Sequence, residues 1–271
     1  MRERKRHSLK IKRVIISLVF ASVLAIIFLF GGKMFVSNVM ATNEVQEPIL
    51  LSELDIKKDP KIPPMQFDGE IRKVAYLTID DGPSKDTTKL LNILKEANAK
   101  ATFFLIGPNI NLYPEQIKAM EKDGHYVGMH SMSHDYNKLY NQKKLVQEMI
   151  EVQDIIHNLN GKTPKLFRAP YGSFPGMDEG IRKGVKKAGL KTWDWTIDSN
   201  DWRYQNNPKQ IVEEIRKQLT EPMEVILIHD KKGTIEALPA ILKLLKDEGY
   251  ELEVYNENQH FPLNFWKDND I

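Results

Sequence analysis

From Lys73 onward the chain alternates short apolar runs with longer segments whose apolar residues recur every three or four positions. The runs Val74–Ile79, Ala101–Ile106, His125–Met129, Lys165–Phe167, Thr192–Ile197, Glu224–Ile228 and Glu251–Tyr255 are predicted strands. A helix is predicted from Ser84, as cap, through Ala97, with Leu90, Leu91 and Leu94 on its inner stripe. Others are expected near 115–122, over 143–159 with Leu145, Met149, Val152, Ile155, Ile156 and Leu159 on one side, near 178–188, over 208–219 with Pro208 in the first turn, and over 235–246. Strand–helix alternation over about 190 residues predicts an α/β domain with a parallel sheet. Seven to eight such units favour a (β/α) barrel over an open sheet. No Gly-x-Gly-x-x-Gly turn opens a helix, which disfavours a dinucleotide-binding domain. No internal repeat or low-complexity tract is present.

The first 70 residues break this pattern. Residues 1–13 form a basic head, with Arg2, Arg4, Lys5, Arg6, Lys10, Lys12 and Arg13 against one acid, Glu3. Val14 to Gly32 then runs 19 positions without a charge. At about 1.5 Å per residue such a helix just spans a hydrocarbon core of roughly 30 Å. The basic residues before it predict a cytoplasmic N-terminus and an exported remainder. An uncleaved single-pass anchor in the cell membrane is expected. The alternative is a signal peptide cleaved near Val39-Met40-Ala41, giving a secreted chain, though the run exceeds a usual signal core. Residues 33–70, with Pro48, Pro60, Pro63 and Pro64, read as an extracytoplasmic stalk. The catalytic domain is expected over 71–262 and a C-terminal tail over 263–271.

Composition narrows the chemistry. The 271-residue chain has a formal net charge of +2, which makes no case for nucleic acid as a partner. It contains no cysteine, so disulfides and thiolate metal sites are both excluded. Any metal must be held by His and Asp or Glu.

Polar clusters stand where the apolar runs end, and catalytic groups of a barrel sit at the C-terminal ends of its strands. Asp80-Asp81-Gly82-Pro83 closes the first run. Adjacent side chains on a regular strand point apart, and the Gly-Pro break lets both carboxylates converge. Two nearby carboxylates repel unless a cation intervenes, which suits one as metal ligand and the other as proton acceptor. A lone Asp-Asp-Gly is more often an ordinary solvated turn. His130 and His134, four apart, would be neighbours on a helical turn and could grip one ion. They lack the intervening Glu of the His-Glu-x-x-His protease pattern. Arg168-Ala-Pro-Tyr171-Gly172 offers a guanidinium that could orient Asp80, and a tight loop that exposes Tyr171. In Asp198-Ser-Asn-Asp201-Trp202, Asp201 could raise an imidazole pKa and Trp202 supply an apolar wall. His229-Asp230 gives a general-acid candidate, and Leu227 shares the face of His229. His7, His125, His157 and His260 are left as structural, with His125 expected nearest the site.

In order, Thr-Ile-Asp80-Asp81-Gly-Pro, His130-Ser-Met-Ser-His134, Arg168-Ala-Pro-Tyr171-Gly, Asp198-Ser-Asn-Asp201-Trp202 and Leu227-Ile-His229 resemble the motifs of the polysaccharide deacetylase family, carbohydrate esterase family four. The resemblance covers residues 71–256. It implies a distorted barrel and a divalent metal, usually Zn2+, with Co2+ or another ion as alternatives. It assigns Asp81, His130 and His134 to the metal, Asp80 as general base, His229 as general acid, Arg168 to position Asp80, and Asp201 to tune His229. Tyr171 would offer its backbone N–H to the oxyanion, while Trp202 and Leu227 would hold the acetyl methyl. Ile79 departs from the Phe often found there. The expected enzyme is a metal-dependent, membrane-tethered N-deacetylase, a monomer, acting on a cell-envelope polysaccharide such as peptidoglycan N-acetylglucosamine. Chitooligosaccharide, exopolysaccharide and O-acetylated xylan are alternative substrates, and a glycan-binding barrel without turnover is the alternative class.

Overall fold

The computed structural model describes residues 66–67 and 70–271. The basic head, the apolar segment 14–32 and nearly all of the stalk lie outside them. Among the described residues no helix is long and apolar enough to cross a membrane.

A short antiparallel pair, β1 (Gln66–Phe67) and β2 (Glu70–Ile71), precedes the main sheet. That sheet contains β3 (Lys73–Asp80), β4 (Thr102–Leu105), β5 (Tyr126–Met129), β6 (Leu166–Phe167), β7 (Lys191–Thr192), β8 (Ile197–Asp198), β9 (Met223–His229) and β10 (Tyr250–Glu253). Its order is β7-β6-β5-β4-β3-β9-β8, every pairing is parallel, and β10 also pairs with β3. Parallel strands covered on both faces read as continuous apolar runs rather than alternating ones, and β9 is buried from Glu224 to Ile228.

Two departures from a regular barrel shape the site. β10 pairs with Lys73–Tyr76 of β3, and β4 takes the same strand further on, at Thr78–Asp80. One edge of β3 thus serves two neighbours in succession. The expected strand Thr192–Ile197 is also two strands. β7 pairs with β6, whereas β8 pairs with β9 at the far side of the sheet. The residues between them cross from one sheet edge to the other. There Trp193 bridges to Leu263, and the Asp194 N–H donates to the Leu263 carbonyl at 2.7 Å. Residues 263–271 are therefore a packed part of the domain rather than a tail, and Ile271 is fully buried.

The larger apolar core lies between sheet and helices and includes Leu77, Ile79, Phe103, Leu105, Met149, Ile226 and Leu245. A smaller cluster of Phe104, Leu166, Trp193, Val225 and Tyr255 packs elsewhere on the sheet. Burying a Leu or Phe side chain contributes about 1.5–3 kcal/mol, so these clusters fix the strand ends that carry the polar residues. The helix expected from Ser84 starts at Thr87. The Ser84 hydroxyl accepts from the Asp86 N–H at 3.1 Å and donates to Asp230 at 3.0 Å, so it braces the turn before the helix. Helix Gly107–Leu112 and the π-helical turn Asn137–Asn141 were not legible as periodic patterns, because each is only one or two turns long.

Candidate active site

Register sets the first two groups side by side. Asp80 ends β3, His229 ends β9, and the two are direct Cα partners. Asp81 follows with φ of 71°, in the left-handed region. That reversal, ahead of the Gly82-Pro83 break, brings both carboxylates to one side. Both line a pocket of about 460 Å3.

His130 and His134 also line it, though by another route than a helical turn. Residues 130–135 form a loop in which Ser131 and His134 take positive φ, 68° and 47°. Glu148 holds that loop: its Oε2 accepts from the Met132 N–H at 3.0 Å and the Ser133 N–H at 2.8 Å. The His130 Nδ1 faces the Arg168 carbonyl at 2.8 Å. A carbonyl only accepts, so Nδ1 carries the proton and Nε2 keeps a free lone pair. Burial lowers the His130 pKa despite Asp80 and Asp81 nearby, which favours the neutral imidazole.

The fit to a cation is read from the donors themselves. Asp81 Oδ1 lies 3.7 Å from His130 Nε2 and 3.6 Å from His134 Nε2. These separations are too long for hydrogen bonds. Donors about 2.1 Å from one ion in tetrahedral array stand ~3.4 Å apart, close to what is seen. Asp81 Oδ1 is buried with no hydrogen-bond partner, a costly state unless a cation takes it. Burial opposes charge on Asp81, but the positive charge gathered around it, Lys231 included, outweighs burial and lowers the pKa. Among the described residues this trio is the one group of three such side chains placed to hold an ion.

Asp80 is held from the other side. Arg168, fully buried, donates from Nη1 to Asp80 Oδ1 at 3.0 Å. The same guanidinium donates to Thr78 Oγ1 at 2.6 Å, to the Trp193 carbonyl at 3.0 Å and to the Asp194 carbonyl at 2.7 Å. Its charge is thereby distributed among satisfied acceptors, which a buried guanidinium requires. At the far wall Asp201 Oδ1 meets His229 Nδ1 at 2.6 Å. Burial would lower the His229 pKa, but the bond and charge of Asp201 overcome it and raise the value. Tyr171 has φ of 67°, lines the pocket, and donates its hydroxyl to the His134 carbonyl at 2.8 Å. Trp202, 56 % exposed, and Leu227, 4 % exposed, complete an apolar wall.

All of these site residues come together. His125 does not: it precedes β5 whereas His130 follows it, so it sits at the opposite end of the strand. Its Nδ1 accepts from the Ala101 N–H, and burial pushes its pKa down to about 4. Sequence reasoning missed Trp195, Ala169 and Lys231, which also line the pocket. Lys231 places Nζ 3.2 Å from Asp81 Oδ2. Asp230, singled out only as part of the His229-Asp230 cluster and given no role, accepts from the Ser84 N–H and both the Ser84 and Thr87 hydroxyls and so braces the turn after Asp81. Its place beside His229 in the sequence was the available signal.

The sequence pattern of polysaccharide deacetylases matches residues 68–193. A peptidoglycan-N-acetylglucosamine deacetylase of Bacillus cereus is 49 % identical over 97 % of this chain and 98 % of its own. The chain belongs to the polysaccharide deacetylase family. Among solved structures, a polysaccharide deacetylase of Bacillus cereus is 54 % identical and superposes with a TM-score of 0.72, covering 74 % of this chain and all of that one. The peptidoglycan deacetylase PdaC of Bacillus subtilis is 35 % identical with a TM-score of 0.60, over 67 % of this chain and 87 % of its own. For a polysaccharide deacetylase, the Asp81-His130-His134 trio is the expected place for a divalent metal.

Proposed function

We propose that this polysaccharide deacetylase removes acetyl groups from peptidoglycan N-acetylglucosamine, releasing acetate and a free amine. The observation that carries the reading is the unpartnered Asp81 Oδ1 facing two imidazole nitrogens, in one pocket with Asp80 and His229. The choice of polymer is supported by the B. cereus relative, whose name specifies that substrate.

Asp81, His130 and His134 would hold the metal, with Zn2+ favoured by a donor set of two imidazoles and a carboxylate. When bound, it supplies Lewis acidity that polarises the acetyl carbonyl and acidifies a water. Asp80, oriented by Arg168, accepts the proton of the attacking water as its oxygen bonds to the carbonyl carbon. Among the described residues no acceptor takes the Tyr171 N–H, which leaves it to donate to the developing oxyanion. His229, protonated through Asp201, gives its proton to the nitrogen as the C–N bond breaks. Trp202 and Leu227 enclose the acetyl methyl and limit the acyl group to a small one.

The apolar stretch 14–32 would tether the enzyme in the cell membrane, with the basic head inside and the catalytic domain facing the wall. A membrane fraction that keeps the whole chain through a high-salt wash supports the tether. A shortened chain in the medium supports cleavage. The substrate is tested by offering the full-length enzyme purified peptidoglycan, N-acetylglucosamine oligomers and O-acetylated xylan, and measuring acetate. Peptidoglycan or its N-acetylglucosamine fragments should release most. Release from xylan alone would overturn the assignment.

A further inference from the structure

Among the described residues the exposed large aromatic side chains are Tyr136, Tyr171, Phe174, Trp202 and Phe265. All but Phe265 come from segments that follow β5, β6 and β8. Phe265 comes from the C-terminal segment packed beside them. Trp202 and Tyr171 border the pocket, but Phe265 stands beyond it. It is reached through Trp195, which lines the pocket and meets the Phe265 ring edge-on, with centroids 5.0 Å apart. Gly172 makes the approach possible: a Cβ there would lie 3.1 Å from Phe265 and 3.3 Å from Trp195.

Phe265 is 44 % exposed, yet its backbone is firmly anchored. Its N–H donates to Asp194 Oδ2 at 2.6 Å and to Ser173 Oγ at 3.1 Å. Asp194 is fully buried and also accepts from the Ser173 N–H at 2.8 Å. The next residue, Trp266, donates from its indole to the Ser173 carbonyl at 2.9 Å. A phenyl ring gains by burial, so a fold that pins one open beside a glycan pocket holds it ready for an apolar partner.

We propose that Trp195 and Phe265 form a second sugar subsite, which holds the pyranose next to the one being deacetylated on the same strand. This rests on the reading of the pocket as a glycan deacetylase site. One face of a pyranose presents C–H groups, and an aromatic ring offers these an electron-rich, apolar surface. The subsite and the general base share a scaffold. Arg168, which holds Asp80, also bonds the Trp193 and Asp194 carbonyls just before Trp195, and its guanidinium lies 5.7 Å from the Trp195 ring centre. Occupancy of this subsite therefore adds affinity for longer strands without new chemistry.

The test uses the full-length, metal-loaded enzyme and β-1,4 N-acetylglucosamine oligomers of increasing length. Phe265→Ala should lower kcat/KM on the hexamer about five- to tenfold, through KM, with a smaller fall on N-acetylglucosamine itself, which leaves the second subsite empty. Phe265→Tyr, which keeps the ring, should restore the length dependence. Hexamer binding, measured by calorimetry in a His229→Ala background, should weaken by the same factor in Phe265→Ala. Equal losses at every length, or unweakened hexamer binding, would overturn the subsite. Failure of the parent enzyme to release acetate from any oligomer would instead overturn the functional reading, while the binding measurement would still judge the subsite.

Discussion

Asp201 grips His229 twice: Oδ1 takes the ring Nδ1 at 2.6 Å and Oδ2 takes the backbone N–H, also at 2.6 Å. The Thr234 hydroxyl adds a third bond to the same carboxylate at 2.5 Å. The imidazole is thus oriented with Nε2 toward the pocket, and its pKa is raised.

That pair sets the pH profile. A raised pKa keeps His229 protonated above the usual imidazole range, so the alkaline limb of kcat should lie at correspondingly high pH. Asp201→Asn removes the negative charge, lowers the His229 pKa and moves the limb toward acid. Rate at neutral pH should fall about 10²-fold. A pH–rate series on both proteins checks this; an unmoved alkaline limb contradicts it.

Arg168 and Asp80 form a buried ion pair, with side chains 0 % and 3 % exposed. Removing one partner of such a pair leaves an uncompensated charge and costs about 3–5 kcal/mol. Arg168→Ala should lose both turnover and that much stability by denaturant unfolding. Arg168→Lys should also fail, since one ammonium cannot reach acceptors as separated as Asp80 Oδ1 and the Trp193 and Asp194 carbonyls. A lysine variant with parental activity would contradict the positioning role.

Glu148 touches no reacting group, but it holds the backbone between His130 and His134. Glu148→Ala should loosen that loop and weaken metal affinity about 10- to 100-fold, measured by competition with a chromogenic chelator. Unchanged affinity would mean that the loop keeps its shape without the clasp.

Leu227 bounds the acyl pocket and is nearly buried. Leu227→Ala should cost about 2–5 kcal/mol of stability and raise the N-propionyl to N-acetyl rate ratio on otherwise identical oligomers. A ratio that stays fixed would place the methyl elsewhere.

The residues legible in the sequence share a trait: each is a chemically distinctive group at the end of an apolar run. Asp80, Asp81, His130, His134, Arg168 and His229 could be chosen because strand ends converge whatever the details of packing. Glu148, Asp194 and Lys231 could not, because each acts through tertiary contacts with a loop far off in sequence. Periodicity also failed where tertiary bonding replaced the ladder. Thr192–Ile197 has strand composition, yet Asp194 bonds to Leu263 and the segment crosses between sheet edges. The convergence of Asp80 and Asp81 was expected from the Gly-Pro break, whereas the left-handed backbone of Asp81 itself accomplishes it.

The central claim, that Asp80 and His229 act as base and acid beside a metal on the Asp81-His130-His134 trio, is tested most directly by acetate release. The full-length enzyme, Asp80→Asn and His229→Ala are compared on N-acetylglucosamine oligomers at matched metal content. Both variants should bind the metal like the parent and release acetate at least about 10²-fold more slowly. Undiminished release by either variant would contradict the account.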